Sequence, residues 1–180
     1  MEISGNVFGI ETIAENIEHA RSLGLEMDRL FFAHALPSEL PSRIDLWLFQ
    51  DSFEHLADPA AFFDWLSKNS SEQAQLLIVL PEAGSISERL LGRFWPHKLN
   101  DHRFHWSRKG LIGFLSVRKF NVSTFFRPVK YISLATIVAH IMQKMVTPKG
   151  LSEWIERAHS FDLRFHFNIG EMGILLRKNR

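Results

Sequence analysis

The sequence has no cysteine. Disulfide bridges, thiolate metal sites and cysteine nucleophiles are excluded together, and the absence fits a cytoplasmic setting. It also lacks an excess of charge of either sign: 21 Lys and Arg against 20 Asp and Glu leave a formal net charge of +1. No overall field then draws the chain to nucleic acid or to an anionic membrane. No apolar run approaches the ~20 residues that a membrane-spanning helix needs, since the most apolar one, 131–142, contains Ser133, Thr136 and His140. The opening MEISGNVFGIE carries two glutamates and nothing resembling the apolar stretch of a secretory signal. Internal repeats, low-complexity segments and linkers are lacking too. A chain of 180 residues, 46% hydrophobic and 23% charged, is therefore expected to form a single domain spanning residues 1–180.

What is present is an alternation of short apolar runs and helical periods, organised around IDLWLFQDSFEHLADP at residues 44–59. Residues 44–49 read as a strand covered on both faces, Gln50, Asp51 and Ser52 as its polar tip, and Pro59 as the first turn of a helix over 60–68. Upstream, residues 6–10 predict a strand ending at Glu11, residues 12–23 a helix stopped at Gly24, and residues 30–35 a second strand. Downstream, residues 75–80 predict a strand stopped by Pro81. Residues 82–105 read as a loop or lid, residues 107–120 as a helix capped by Ser107, and residues 121–126 as a strand. Residues 129–145 and 151–159 read as helices, and residues 165–176 as a last strand interrupted at Gly170. Strands alternating with helices argue for an α/β sheet with crossover connections, which presents ligands at the carboxyl ends of its strands.

Three stretches carry a resemblance to a known family: VFGIETIAENIEHARSLGL at 7–25, IDLWLFQDSFEHLADPAAFF at 44–63, and LLIVLPEAGS at 76–85 continued by GRFWPHKLNDHRFHWSRKGLIGFLSVRKFNV at 92–122. In order and punctuation they resemble the class I SAM-dependent methyltransferases that act on small molecules and envelope-type metabolites. The resemblance implies a Rossmann-like sheet with helices on both faces, S-adenosyl-L-methionine (SAM) as cofactor and a small-molecule methyl acceptor. The pattern starts at the family's second strand, so the first strand and the glycine-rich SAM loop, due just upstream of Asn6, are replaced by MEISG. The expected sheet is therefore N-terminally incomplete. Its flanking strands would pair directly, take a strand from a second chain in a homo-oligomer, or leave a marginally stable domain, the first and third being favoured here. SAM binding is expected to be weak and methyl transfer slight or absent in this form.

Carried over residue by residue, the resemblance places Glu11, with Thr12 beside it, at the ribose hydroxyls. A carboxylate there suits the task because it accepts hydrogen bonds and donates none; the plainer alternative is a charge complementing the helix dipole. Ala35 and Leu36 fall at the position that meets adenine, or simply fill a loop. Gln50, Asp51 and Ser52 fall beside the methionine end of SAM and the acceptor, with helix capping by Asp51 or Ser52 as the alternative. His55 is the candidate general base, because an imidazole near its ordinary pKa can take a proton from an attacking hydroxyl or amine. Trp95, His97, His105 and Trp106 are expected to line the acceptor pocket. His97, His102 and His105 with Asp101 match no zinc-ligand spacing, and no metal is expected.

Two function classes emerge: a methyltransferase, and a non-catalytic interaction module derived from one. Binding of SAM or its demethylated product separates them. A metal-dependent hydrolase built on the histidines is a distant third, which a metal assay would detect.

Overall fold

The computed structural model describes residues 7–24, 30–133 and 164–179. They fall into two compact units, Met1–Pro41 and Ser42–Arg180.

In the first unit, β1 (Gly9–Glu11) lies parallel to β2 (Leu30–Phe32), with Glu11 opposite Phe32. The connecting helix α1 (Ala14–Ser22) buries none of its residues, and Gly24 ends it at φ 84°, a left-handed conformation that glycine adopts without a Cβ penalty. Gly9 keeps β1 and β2 close, since a Cβ there would lie 2.9 Å from Leu30 Cδ1.

The second unit is built on a four-stranded sheet of order β3-β4-β8-β5. β3 (Ile44–Gln50), α2 (Pro59–Asn69) and β4 (Ser70–Pro81) form a parallel crossover. Asp58 starts α2 by accepting the amides of Ala60 and Ala61, both at 3.0 Å, and Pro59 occupies the first turn, where its missing N–H costs nothing. β8 (Glu171–Lys178) inserts antiparallel between β4 and β5 (Phe120–Phe126). A separate antiparallel pair joins β6 (Lys130–Ser133) to β7 (Arg164–Phe167).

Alternate residues of β4 and β8, Ala74, Leu76, Ile78, Leu80, Met172, Ile174 and Leu176, are fully buried. Phe63 and Leu66 of α2 and Leu111 and Leu115 of α4 (Arg108–Ser116) join them in the core. Phe63 meets Phe120 edge-on at 5.1 Å and Phe114 at 6.0 Å, while Trp47 and Phe49 of β3 meet Trp65 and Phe62 of α2 at 5.7 and 5.9 Å. Such T-shaped pairs add to the area they bury.

Several expectations need correction. The run at 44–49 is covered on one face only: Trp47 and Phe49 are buried, but Leu46 and Leu48 are 59% and 62% exposed. Among the described residues β3 bonds to β4, and within the first unit β1 bonds to β2. Residues 82–105 are not a plain loop. Ser85 caps α3 (Ile86–Leu91) by accepting the Glu88 amide at 3.2 Å, and a 3-10 turn comes next at Gly92–Phe94. Residues 130–133 are strand β6 and not helix, because there the chain pairs with β7. The rest of the helix expected at 129–145, and the one at 151–159, lie outside the described residues. The strand expected at 165–176 is two strands, parted where Gly170 adopts φ 97°.

Candidate functional site at the carboxyl ends of the strands

In the first unit, Glu11 closes β1 and faces the amino end of α1. Its Oε1 accepts the amides of Thr12 and Ile13 at 2.6 and 2.9 Å and the Thr12 hydroxyl at 3.3 Å, and its Oε2 accepts Asn16 Nδ2 at 3.0 Å. Partial burial works to raise its pKa, but the bonds from Asn16, Ile13 and Thr12 prevail and hold the carboxyl below its ordinary range. Ala35 and Leu36 lie in the turn after β2, where the Ala33 amide donates to the Glu11 carbonyl at 2.8 Å and the Ala35 amide to Phe32 at 2.9 Å. These four candidate residues therefore gather at the carboxyl end of the parallel pair.

In the second unit, β3, β4 and β5 all end at one edge of the sheet, and β8 starts there, with Glu171 opposite Pro81. Asp51 comes directly after β3 with φ 48°, its amide donating to Val79 of β4 at 2.9 Å. It does not cap a helix: the next element is a short 3-10 turn, Phe53–His55, with no side-chain cap from Ser52 either. Asp51 Oδ2 instead accepts Lys130 Nζ at 2.9 Å, and the same ammonium reaches Glu171 Oε1 at 2.5 Å. Burial acts to lower the Lys130 pKa, but the two carboxylates outweigh it and hold the pKa above its ordinary value. Glu171, itself fully buried, is pushed up by desolvation against the pull of Lys130. His97 Nε2 lies 3.2 Å from the same Glu171 Oε1. Asn168 fixes this end of β8 with four bonds, two accepted from Gly170 and Glu171 amides and two donated to Pro128 and Glu171 carbonyls.

Beside this group, Phe53 is fully buried against Phe49, Trp106 and Phe114, and it draws Glu54 inward after it. The Glu54 side chain is 3% exposed and neither carboxylate oxygen has a hydrogen-bond partner. Desolvation raises its pKa, opposed by its own backbone N–H and by the charge of His55, with the charges of Asp51 and Glu171 adding to the rise. His102, whose side chain is 4% exposed, lies with Nε2 3.9 Å from Glu54 Oε1. Desolvation, and then His55, lower its pKa. His55 is less covered, and its Nδ1 lies 3.1 Å from the Asp101 carbonyl.

Of the expected pocket residues, Trp95 is fully buried, with its indole N–H donated to the Ile169 carbonyl at 2.8 Å, so it anchors the turn and offers no surface to an acceptor. Trp106 stacks on Phe104 at 5.5 Å and touches Phe53 and Phe114. His105 is exposed, 6.0 Å from the His102 ring. Gln50 and Ser52 are exposed at the strand tip. A cavity of about 380 Å³ lies at the opposite end of the sheet, lined by Glu72, Gln73, Gln75, Arg177 and Lys178, and includes none of the candidate residues.

Sequence reasoning missed the buried carboxyls Glu54 and Glu171 and the half-buried Lys130. Glu171 had a signal, an acid opening the apolar run EMGILL, whereas Lys130 was hidden by the helical reading of its segment.

No protein-family model matches the chain, and no curated protein is a significant match to it. Solved structures do match. The YcgJ protein from Bacillus subtilis aligns with 14% identity and a TM-score of 0.57, over 96% of this chain and 82% of its own. A putative methyltransferase from Bacillus halodurans aligns with 14% identity and a TM-score of 0.58, over 95% and 82%. The plantazolicin methyltransferase BamL, in complex with a triazolic desmethylPZN analog and SAH, aligns with 16% identity and a TM-score of 0.55, over 99% and 70%. The chain thus has the Rossmann-like fold of the class I methyltransferases. No helix among the described residues is long and apolar enough to cross a membrane.

Proposed function

We propose that the chain is a SAM-dependent methyltransferase acting on a small-molecule or envelope-metabolite acceptor. The observation that carries this reading is the fold, shared with methyltransferase structures over nearly the whole chain. SAM, when bound, supplies an electrophilic methyl group on a sulfonium sulfur. Glu11 and Thr12 would hold the ribose end: Glu11 is already an ionised acceptor at a strand terminus, and its Oε2 takes only the Asn16 amide. The backbone of Ala35 and Leu36 would border the adenine, and Gln50, Asp51 and Ser52 the methionine end. His55 would remove a proton from the acceptor. Its Nδ1–H, donated to the Asp101 carbonyl, leaves the Nε2 lone pair for that task. His105, Trp106 and, through Glu171, His97 would orient the acceptor.

Glu11 offers an acceptor suited to the ribose end of SAM, and the methionine end rests on side chains alone. Among the described residues no strand leads into closely spaced glycines that would let the backbone approach the ligand. That observation favours a second reading, a non-catalytic interaction module derived from a methyltransferase. Calorimetry of the purified chain with SAM and with SAH decides between them. Weak, saturable heat in the high micromolar range, lost in Glu11→Ala, supports the enzyme reading; no heat with either ligand supports the module.

A further inference from the structure

Glu54, His55 and His102 form a set of ligand atoms that the packing does not use. A carboxylate taken out of water without a donor is costly, and a site that only needed filling would be served better by an apolar side chain. Both Glu54 oxygens are nevertheless buried without partners, and so is His102 Nδ1. The 3.9 Å between Glu54 Oε1 and His102 Nε2 is too long for a hydrogen bond. The nearby ammonium does not supply the missing charge, because Lys130 Nζ is bound to Asp51 and Glu171. The His55 ring stands edge-on to His102 at 4.8 Å, and one ligand atom from each of the three residues lies within 4.8 Å of the others.

We propose that Glu54, His55 and His102 bind a divalent first-row transition ion, zinc fitting best. Two imidazole nitrogens and one carboxylate oxygen are the donor set of open zinc sites, in which water or a ligand oxygen completes the shell. Magnesium and calcium prefer oxygen and are disfavoured here. Bonds of ~2.0–2.2 Å put neighbouring ligands of a tetrahedral ion roughly 3.3 Å apart, so binding draws Glu54 and His102 together. Their placement permits this: Glu54 and His55 sit on a 3-10 turn and His102 on a loop, outside the sheet. The Glu54 carbonyl straps the two segments, accepting the amides of Arg103 and Phe104 at 3.0 and 3.1 Å. The Asp101 carbonyl, by taking the His55 Nδ1 proton, frees Nε2 for the ion, the usual arrangement around a metal-bound imidazole. An ion on Nε2 and a proton taken by Nε2 exclude each other, so with zinc bound His55 is a ligand and not a base.

The test needs no SAM and so stands apart from the methyltransferase reading. The full chain, freed of metal by a chelator, is titrated calorimetrically with zinc chloride alone, with magnesium chloride as the control. One zinc per chain is expected, with no heat from magnesium. Glu54→Gln and His102→Ala should each weaken zinc binding by at least about tenfold, and His34→Ala, at an exposed histidine of the other unit, should leave it unchanged. Absence of zinc binding, or binding that survives both variants undiminished, overturns the proposal. Glu54→Gln preserves shape and decides the matter if His102→Ala does not fold. Cobalt(II) added to the unaltered chain gives an independent readout: intense visible bands of a four- or five-coordinate ion are expected, and the faint spectrum of a hydrated octahedral ion overturns the site.

Discussion

Two glutamates at the carboxyl ends of parallel strands, one closing β1 and the other in the turn after β3, are treated oppositely. Glu11 receives four hydrogen bonds from its own helix start and stays readily ionised. Glu54 receives none, lies deeper, and resists ionisation. The type of turn at each strand's end sets the difference. After β1 the chain turns straight into a helix whose free amides meet the carboxylate. After β3 a 3-10 turn puts Phe53 into the core, and Glu54 is pulled in beside it, away from amides and water. A satisfied carboxylate is accounted for by its local structure, whereas an orphaned buried one calls for an explanation.

The comparison is broken most severely at Phe53. Phe53→Ala removes a fully buried ring and should cost about 3–5 kcal/mol of stability in the second unit, read by urea unfolding. Ile17→Ala on the unburied helix α1 should cost well under that. Glu11→Ala tests the other side of the comparison: it should weaken SAM binding by ~1.5–3 kcal/mol in calorimetry, since a hydrogen bond to a charged group is lost. Unchanged affinity would remove Glu11 from the ribose. Gly170→Ala loosens the polar edge without touching a charge. Its Cβ would meet Ser85 Oγ at 2.6 Å and Trp95 Nε1 at 2.9 Å from a backbone of positive φ, and a loss of roughly 1–3 kcal/mol is expected in the same urea assay.

Glu54→Gln gives the smallest effect and the sharpest sign. A carboxyl whose folded pKa is raised holds its proton longer in the folded state, so its contribution to stability falls as pH rises from the unfolded value of 4.5 through the folded one. The metal-free Glu54→Gln chain should therefore gain on the parent as pH rises through that window. Comparing the two chains cancels the opposite slope of His102, whose lowered pKa makes stability rise with pH up to 6.5. Parallel curves from pH 4 to 8 would show that Glu54 is not burdened as described.

Much of this was legible in the residues. The parallel crossover from β3 through α2 to β4, the Pro59 start, the Ser107 cap and the stop at Gly24 come from local chemistry, which a sequence displays. Glu11 was readable too, because its neighbours in sequence are its partners in space. Lys130, Glu171 and His97 were not readable as a group: each comes from a different segment, and only the strand order brings them together. The same holds for the burial of Trp95, whose indole partner, Ile169, lies 74 positions away.

The position of β8 has a consequence for how the chain comes into being. It is the last strand in sequence among those described, yet it lies between β4 and β5 and carries Glu171 to the polar edge. During synthesis, β3, α2 and β4 can assemble as soon as they emerge, whereas β5 has no sheet to join until residues 171–178 arrive. The waiting strand is held off the sheet by loop closure across the intervening chain, the kind of non-local pairing that slows folding. A ribosome-bound chain stopped before Glu171 would hold the β3–β4 pair without the carboxylate that accepts Lys130, so that ion pair appears only when β8 slides between β4 and β5.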